Sequence, residues 1–339
     1  MDFIKLMNSS QYDFLRTNPR LGNRIILMGL GGSYAYGTNN ENSDIDFRGV
    51  TLQTTSDLLG LTEFEQYEDY NTDTVIYSFN KIVKLLLECN PNTCEILGLD
   101  GEQYLIKTPL GQELIDNAQL FLSKRAAKSF GGYAQAQLRR LQNAIARDSM
   151  PQDERERHIL NSVRNALEDI NRRGTSMGDG KLKVYVDKAV TEGLDTEIFV
   201  DANYNHYPLR DYENMFTAMS NVLREYNKIG KRNKKKDDNH LNKLAMHLIR
   251  LFLMAIDILD KGIIKTHRKD DLDLLLKIRS GGFQKEDGTF EKEFYDILAH
   301  YESELERATR QTSLPDNPDM EKVGKFVEYV NRRTIEGDY

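Results

Sequence analysis

The sequence has no tryptophan and only two cysteines, Cys89 and Cys94, among its 339 residues. Only four residues separate the two cysteines, a spacing that does not readily give a good disulfide. No other cysteine or histidine lies near enough in the sequence to build a zinc site with them. A reducing, cytoplasmic compartment is therefore expected.

Long hydrophobic runs are also missing. No run of about 18 apolar residues is present, which argues against a membrane span. The first residues lack the basic head and apolar stretch of a secretory signal. Hydrophobic residues make up 39% and charged residues 29%, a globular composition, and the length of 339 residues predicts roughly two domains.

The sequence also lacks an excess of basic residues. The chain has 46 basic and 53 acidic residues and a net charge of -7, which argues against DNA binding driven by bulk charge. The densest basic stretch, residues 228–240, is expected to be an exposed loop. If the protein acts on RNA, phosphate contacts are expected there.

Hydrophobic periodicity predicts a small α+β domain at the N-terminal end. The stretches "NRIILMGL", "DIDFRGVTL" and "DTVIYSFN" are predicted to be strands, the second beginning at Asp44. "KIVKLLLECN" is predicted to be a helix that stops before Pro91.

Beyond residue 120 the periodicity is mainly helical. The domain boundary is placed at residue 115, with a mainly helical domain over 116–339. "GIIKTHR" is interpreted as a short strand. The first predicted helix is interrupted or loosened at Gly131-Gly132, and the fourth ends at Gly262. The five predicted helices are "SKRAAKSFGGYAQAQLRRLQNAIARD", "DERERHILNSVRNALEDINRR", "YENMFTAMSNVLREYNKI", "HLNKLAMHLIRLFLMAIDILDKG" and "DDLDLLLKIRSGG".

The glycine-rich stretch after the first strand fits neither common phosphate-binding template. A dinucleotide fingerprint needs a third glycine where Tyr34 stands, and a P-loop needs a lysine where Thr38 stands. Gly32-Ser33 can still open a short helix whose backbone N–H groups bind an anion.

Two aspartates follow the glycines at a fixed distance. Asp44 and Asp46 are two residues apart, so on a strand they share a face and look back toward the glycines. A divalent cation would offset their repulsion and bridge them to substrate phosphates. For an isolated Asp-x-Asp pair, the solvent face of an edge strand is the alternative interpretation.

The combined pattern G-S-x3-G-x5-S-D-x-D, from Gly32 to Asp46, resembles the signature of the DNA polymerase β-like nucleotidyltransferase superfamily. With Arg48-Gly49 after the acids, it is most similar to a branch of predicted bacterial and bacteriophage nucleotidyltransferases. The resemblance implies a small mixed sheet with flanking helices, then a helical domain. It implies a cytoplasmic enzyme, of a bacterial cell or a phage-infected host, that transfers an NMP from an NTP to an acceptor hydroxyl and releases pyrophosphate.

The cofactor implied by the resemblance is Mg²⁺, with Mn²⁺ as the alternative, and ATP is the default nucleotide. The acceptor stays open between tRNA or another RNA, a protein and a small molecule. Two rival interpretations are a nucleotide-binding regulatory protein without turnover and a toxin-like enzyme that modifies tRNA or a protein.

The resemblance also assigns residues. Gly32, Ser33 and Ser43 would hold the nucleotide phosphates, and Asp44 and Asp46 would bind the metal. The third acid is predicted to be Asp73, which opens the third strand. The weaker candidates for that acid are Glu63, Glu65, Glu68, Asp69 and Glu95. Glu95 is expected instead in the first turn of a capped helix.

Lys243, His247 and Arg250 recur at i, i+4 and i+7 and so share one helix face. This face is predicted to contact the nucleotide phosphates, with an ordinary solvated face as the alternative. His247 is a candidate base, although a lone helical histidine is more often structural. Arg48 would either clamp a phosphate or balance the two aspartates.

Overall fold

The computed structural model describes residues 2–41, 43–149, 156–157, 160, 181–190, 196–203, 208–209, 212–213, 215–217, 219–220, 223, 238–285 and 288–339. The chain divides into two compact units, Met1–Leu141 with Asn242–Tyr339, and Gln142–Leu241. The boundary at residue 115 stays a prediction. The basic stretch 228–240 and the second and third predicted helices lie mostly outside the described residues.

The first unit is built on a five-stranded mixed sheet in the order β3-β4-β2-β1-β5. The strands β2 and β4 pair in parallel, and the other neighbours pair antiparallel. This confirms the predicted α+β class. The bounds of these strands are Ile25–Leu30 (β1), Phe47–Thr51 (β2), Gln66–Asp69 (β3), Thr74–Ser78 (β4) and Tyr104–Lys107 (β5).

Helices flank the sheet and dominate the C-terminal part of this unit. No described helix is both long enough and apolar enough to cross a membrane. The α-helices are Phe3–Met7 (α1), Phe14–Thr17 (α2), Gly32–Tyr36 (α3), Thr55–Leu59 (α4), Phe79–Leu87 (α5), Pro91–Cys94 (α6), Pro109–Asp116 (α7), Arg125–Ser149 (α8), Asp238–Lys261 (α9), Leu272–Arg279 (α10), Lys292–Gln311 (α11) and Met320–Glu336 (α12). The short 3₁₀ helices are Ser10–Tyr12, Gly22–Arg24, Glu95–Leu97, Gly101–Gln103 and Ala118–Phe121.

The core beneath the site lies between β1 and the N-terminal helices. All six residues of β1 are buried: β2 and β5 pair with its two edges, and α3 and α7 pack against it. Tyr12 packs on Phe47 with ring centroids 5.1 Å apart, and Ile45 packs against the same cluster. The apolar residues on either side of Asp46 therefore fix where that aspartate enters the sheet.

Several predictions needed correction. β2 begins at Phe47 rather than Asp44, and α8 runs unbroken through Gly131 and Gly132. A glycine costs a helix only about 1 kcal/mol relative to alanine, and the buried residues Phe130 and Ala134 on either side of the pair anchor α8. "GIIKTHR" is not a strand: Thr266 donates its N–H to the carbonyl of Gly98 over 2.9 Å and its hydroxyl to the carbonyl of Glu95 over 2.7 Å, so it joins an irregular turn rather than a strand ladder.

Other predictions are confirmed. Both cysteines are free and buried. α9 ends at Lys261, and the next residue is the predicted Gly262, which adopts a φ of 64° as a C-terminal cap requires. The hairpin of the second unit was missed: its strands Lys181–Lys188 (β6) and Thr196–Asn203 (β7) pair antiparallel over their whole length.

Candidate active site

The glycine turn, Gly31–Ser33, joins β1 to α3 and is held against Asp46. The N–H of Gly31 donates to the backbone carbonyl of Asp46 over 2.8 Å. Gly32 has a φ of 54°, and a Cβ placed on it would lie 1.8 Å from Asp46 Oδ2. Only glycine leaves room here for the carboxyl group, so Gly32 serves Asp46 directly.

Asp44 and Asp46 do not form the predicted pair on one strand face, because both precede β2. Ile45 packs into the core between them. The side chain of Asp46 is 15% exposed and lies against the glycine turn. Asp44 is exposed on a cavity of about 640 Å³, whose walls include Tyr12 and Asp73.

Asp73 is brought to Asp46 by the parallel pairing of β2 with β4. It lies in the turn before β4 with a φ of 45°, a rare value for a residue other than glycine. Arg48 lies between the two acids, with its NH2 atom 3.2 Å from Asp73 Oδ1 and 4.0 Å from Asp46 Oδ1. The predicted balancing role of Arg48 therefore has a geometric basis.

The two carboxyl groups are close enough to share a proton. Burial, together with the hydrogen bond to Asp73, raises the pKa of Asp46 to about 7. The hydrogen bond from Asp46 and the Arg48 guanidinium hold the pKa of Asp73 below its ordinary value. Near neutral pH, Asp46 therefore holds the shared proton as often as not, and Asp73 stays ionised.

A shared proton marks a place where a cation would fit. Asp46 is largely buried and Asp73 is exposed at its side, and two carboxylates this close repel each other when both ionise. Hard oxygen ligands of this kind suit Mg²⁺. Within the described ranges, no three His, Cys, Asp or Glu side chains are grouped as a metal site. Mg²⁺ commonly takes one or two carboxylates and completes its shell with water and phosphate. Asp46 and Asp73 fit that description, and Asp44 borders the same cavity as Asp73.

Glu95 adds a third acid, although its position differs from the predicted one. Asn90 caps α6, and Glu95 lies after that helix in the 3₁₀ turn rather than in its first turn. It is 7% exposed and accepts a 3.0 Å hydrogen bond from the hydroxyl of Tyr36 in α3. Burial raises its pKa, which Arg250 and Arg48 partly oppose.

Arg250 connects α9 to the glycine turn. It is 8% exposed, and its guanidinium carbon lies 3.5 Å from the centre of the Tyr36 ring. Sequence reasoning placed Arg250 on a polar face but missed Tyr36, because residues so far apart in the chain leave no local signal of their contact.

The other two residues of the α9 face differ in exposure. Lys243 is exposed and contributes to the low pKa of Asp73. His247 is partly buried, and its Nδ1 lies 2.6 Å from the NH2 atom of Arg250. Burial and the cations Arg250, Lys243 and Arg140 lower the pKa of His247.

The two predicted phosphate-binding serines are placed differently. Ser33 is partly buried in the first turn of α3, beside the glycine turn. Ser43 closes its own loop: its Oγ donates to Asn40 Oδ1 over 3.0 Å and accepts the N–H of Asn40 over 2.8 Å. Ser43 also lines the cavity beside Asp44.

Comparison with known proteins gives one match. Residues 7–167 match the model of a family described as the RNA repair pathway DNA polymerase beta family. That segment contains the glycine turn, Asp44, Asp46 and Asp73, whereas α9 lies outside it. No curated protein and no solved structure matches the chain.

Proposed function

Residues 7–167 belong to the DNA polymerase β-like nucleotidyltransferase superfamily, and on that premise we propose that the protein is a metal-dependent nucleotidyltransferase. It transfers an NMP from an NTP, with ATP as the default, to an acceptor hydroxyl. The observation that carries the proposal is the pairing of Asp46 with Asp73 beside the glycine turn. A divalent cation would replace the shared proton and offset the repulsion of the pair, and the turn offers backbone N–H groups to a phosphate.

The reaction forms a bond between the acceptor oxygen and the α-phosphorus and breaks the bond from that phosphorus to the β-phosphate oxygen. Pyrophosphate leaves, and the proton of the acceptor hydroxyl passes to solvent. Asp46 and Asp73, with Asp44 beside them, would hold Mg²⁺ or Mn²⁺, which when bound neutralises charge on the phosphates and polarises the reacting phosphoryl group. Asp73 stays ionised because its pKa is low, so it accepts the hydrogen bond of the attacking hydroxyl and orients it.

The acceptor and the triphosphate are assigned to surfaces of different charge beside this pair. The cavity lined by Asp44 and Asp73 has no Lys or Arg among the described residues that line it, so it suits the uncharged hydroxyl end of an acceptor. Lys243, on the α9 face, suits the triphosphate as a point charge. Ser33 adds a hydroxyl donor at the glycine turn.

RNA is the acceptor that we propose first. The family description refers to RNA repair, and an RNA end carries the hydroxyl that the reaction requires. The net charge of -7 means that RNA would have to bind through a local patch rather than through bulk charge. A protein or small-molecule acceptor shares the same chemistry and is an outcome of the test below.

The test is transfer of label from α-³²P-NTP. Purified protein, Mg²⁺ and each NTP in turn are incubated with total RNA, and separately with protein and small-molecule extracts. We expect label on RNA with the wild type. Asp73→Asn should lower the rate about a hundredfold or more, because it removes a charge that orients the hydroxyl and holds the cation.

Asp296→Asn is the matched control, because Asp296 is an exposed carboxylate on α11 whose ion-pair partner among the described residues is nearby Lys292, at 2.6 Å. It should keep the wild-type rate. Stabilisation of the wild type by NTP without any transfer of label would overturn catalysis and support a nucleotide-binding regulator. Label on a protein or a small molecule would identify that molecule, rather than RNA, as the acceptor.

A further inference from the structure

We propose that His247 is a polyphosphate-binding residue that donates a hydrogen bond from Nε2–H, and that Arg250 fixes the tautomer in which it does so. The proposal rests on the proposed function for the identity of its ligand, the β- and γ-phosphates that leave as pyrophosphate. It gives His247 a role different from that of a general base.

The tautomer follows from the partner of the ring. A guanidinium has five N–H donors and no acceptor, so Arg250 NH2 can only donate across the 2.6 Å contact. Nδ1 of His247 must therefore accept and carry no proton. A neutral imidazole with a bare Nδ1 bears its proton on Nε2.

Arg250 is itself held in place, so the tautomer is fixed rather than exchanged. Its guanidinium stacks on Tyr36, and Tyr36 donates to the buried Glu95. Glu95 in turn has its backbone carbonyl bonded by the hydroxyl of Thr266 at 2.7 Å. These contacts connect the ring of His247 to the helix that begins at the glycine turn.

The surroundings of His247 favour an anionic ligand. The charged groups that act on the ring are Arg250 and Lys243 on α9 and Arg140 on α8, all of them cations. Burial of the ring, together with these cations, lowers the pKa of His247 and so keeps the ring neutral. Nε2 has no hydrogen-bond partner among the residues that the structure describes. The Nε2–H donor of His247 therefore lies among cations and lacks an acceptor. The oxygen atoms of a polyphosphate would supply that acceptor.

Lys243 sets the position of this group relative to the acids. It lies one helical turn before His247 and acts electrostatically on Asp73. A triphosphate bound along the α9 face would thus extend from the acid pair past Lys243 to His247. That direction places the leaving pyrophosphate, rather than the nucleoside, on His247.

Two isosteric variants separate the donor role from a structural one. In His247→Asn the amide oxygen replaces Nδ1, so the bond from Arg250 is kept and the Nε2 donor is lost. In His247→Gln the amide nitrogen replaces Nε2, so the donor is kept. We expect His247→Asn to raise KM for NTP about tenfold or more and to weaken pyrophosphate binding equally, because a hydrogen bond to a charged group is lost. His247→Gln should stay within about threefold of the wild type.

The tautomer itself is tested on the full chain by long-range ¹H–¹⁵N NMR of the six histidines. The signals of His247 are assigned by their absence from the spectrum of His247→Gln. They should show a protonated Nε2 and an unprotonated Nδ1, and the ring should not titrate between about pH 6 and 8. Adding pyrophosphate alone should shift Nε2. A ring that titrates in this range, a proton on Nδ1, or rescue by Asn rather than Gln would overturn the inference. Each of these results could be obtained with a protein that still transfers label, so it would refute the role of His247 without refuting the proposed function. If no label is transferred, the titration with pyrophosphate still tests binding at His247.

Discussion

Replacing Asp46 by asparagine should lower nucleotidyl transfer by about a thousandfold or more while making the metal-free protein more stable at pH 8. The loss of rate follows because Asp46 is one of the two carboxylates placed to hold the cation, and such a charge contributes on the order of 4 kcal/mol to transition-state stabilisation. The gain in stability follows from the raised pKa of Asp46.

The direction of this stability change follows from the number of protons that the folded and unfolded states bind. Asp46 has a folded-state pKa of about 7 against an ordinary value of 3.8, so between these values the folded state binds more protons than the unfolded state. The free energy of unfolding therefore falls as pH rises from about 4 to about 7. The amide introduced by Asp46→Asn cannot ionise and can donate to Asp73 at every pH, so the variant avoids this loss.

Thermal unfolding of the two proteins from pH 4.5 to 8 measures the effect. The variant should be more stable by about 1–2 kcal/mol at pH 8, or roughly 2–4 °C in Tm, and the difference should vanish toward pH 4.5. Mg²⁺ should raise the Tm of the wild type at pH 8 and leave Asp46→Asn unchanged. Equal pH dependence in both proteins would refute the shared proton, and Asp296→Asn should follow the wild type throughout.

The sequence predicted the parts of the site that have local causes. β1, the glycine turn, Asp46 and the start of β4 all follow from short patterns of apolar, glycine and acidic residues. Asp73 was predicted from its place as the first residue of the third strand; the structure begins β4 one residue later, at Thr74, and sets Asp73 beside Asp46. The start of β2 was wrong because alternation extended the strand back to Asp44, whereas Ile45 packs into the core before strand pairing begins.

What sequence could not supply was long-range pairing. Glu95, Tyr36 and Arg250 come from three separate parts of the chain and meet only in the folded unit. The helix period identified one face of α9, but it could not tell which of its residues is buried. Lys243 is exposed on that face, whereas Arg250 is turned inward onto an aromatic ring, and only packing distinguishes them.

The glycine turn gives the second large expected effect: Gly32→Ala should lower transfer by about a hundredfold or more. The new Cβ would lie 1.8 Å from Oδ2 and 2.9 Å from Cγ of Asp46, so this short side chain must rotate away. Rotation would separate Asp46 from Asp73 and displace the pair that holds the cation. The φ of 54° adds strain of about 1 kcal/mol for any residue with a Cβ.

Because the added Cβ collides with the Asp46 side chain itself, the effects of substitutions at Gly32 and Asp46 should not be additive. Gly32→Ala alone should cost about 2–3 kcal/mol of stability, whereas in an Asp46→Ala background it should cost only the backbone strain of about 1 kcal/mol. The double variant should transfer label no more slowly than Asp46→Ala alone, since both changes act on the same carboxylate. Gly132→Ala, where the added Cβ meets nothing within 4 Å, is the control and should leave transfer unchanged. If Gly32→Ala keeps wild-type transfer, or if its stability cost is the same with and without the Asp46 carboxylate, then the turn does not act through Asp46 and Gly32 serves the phosphates alone.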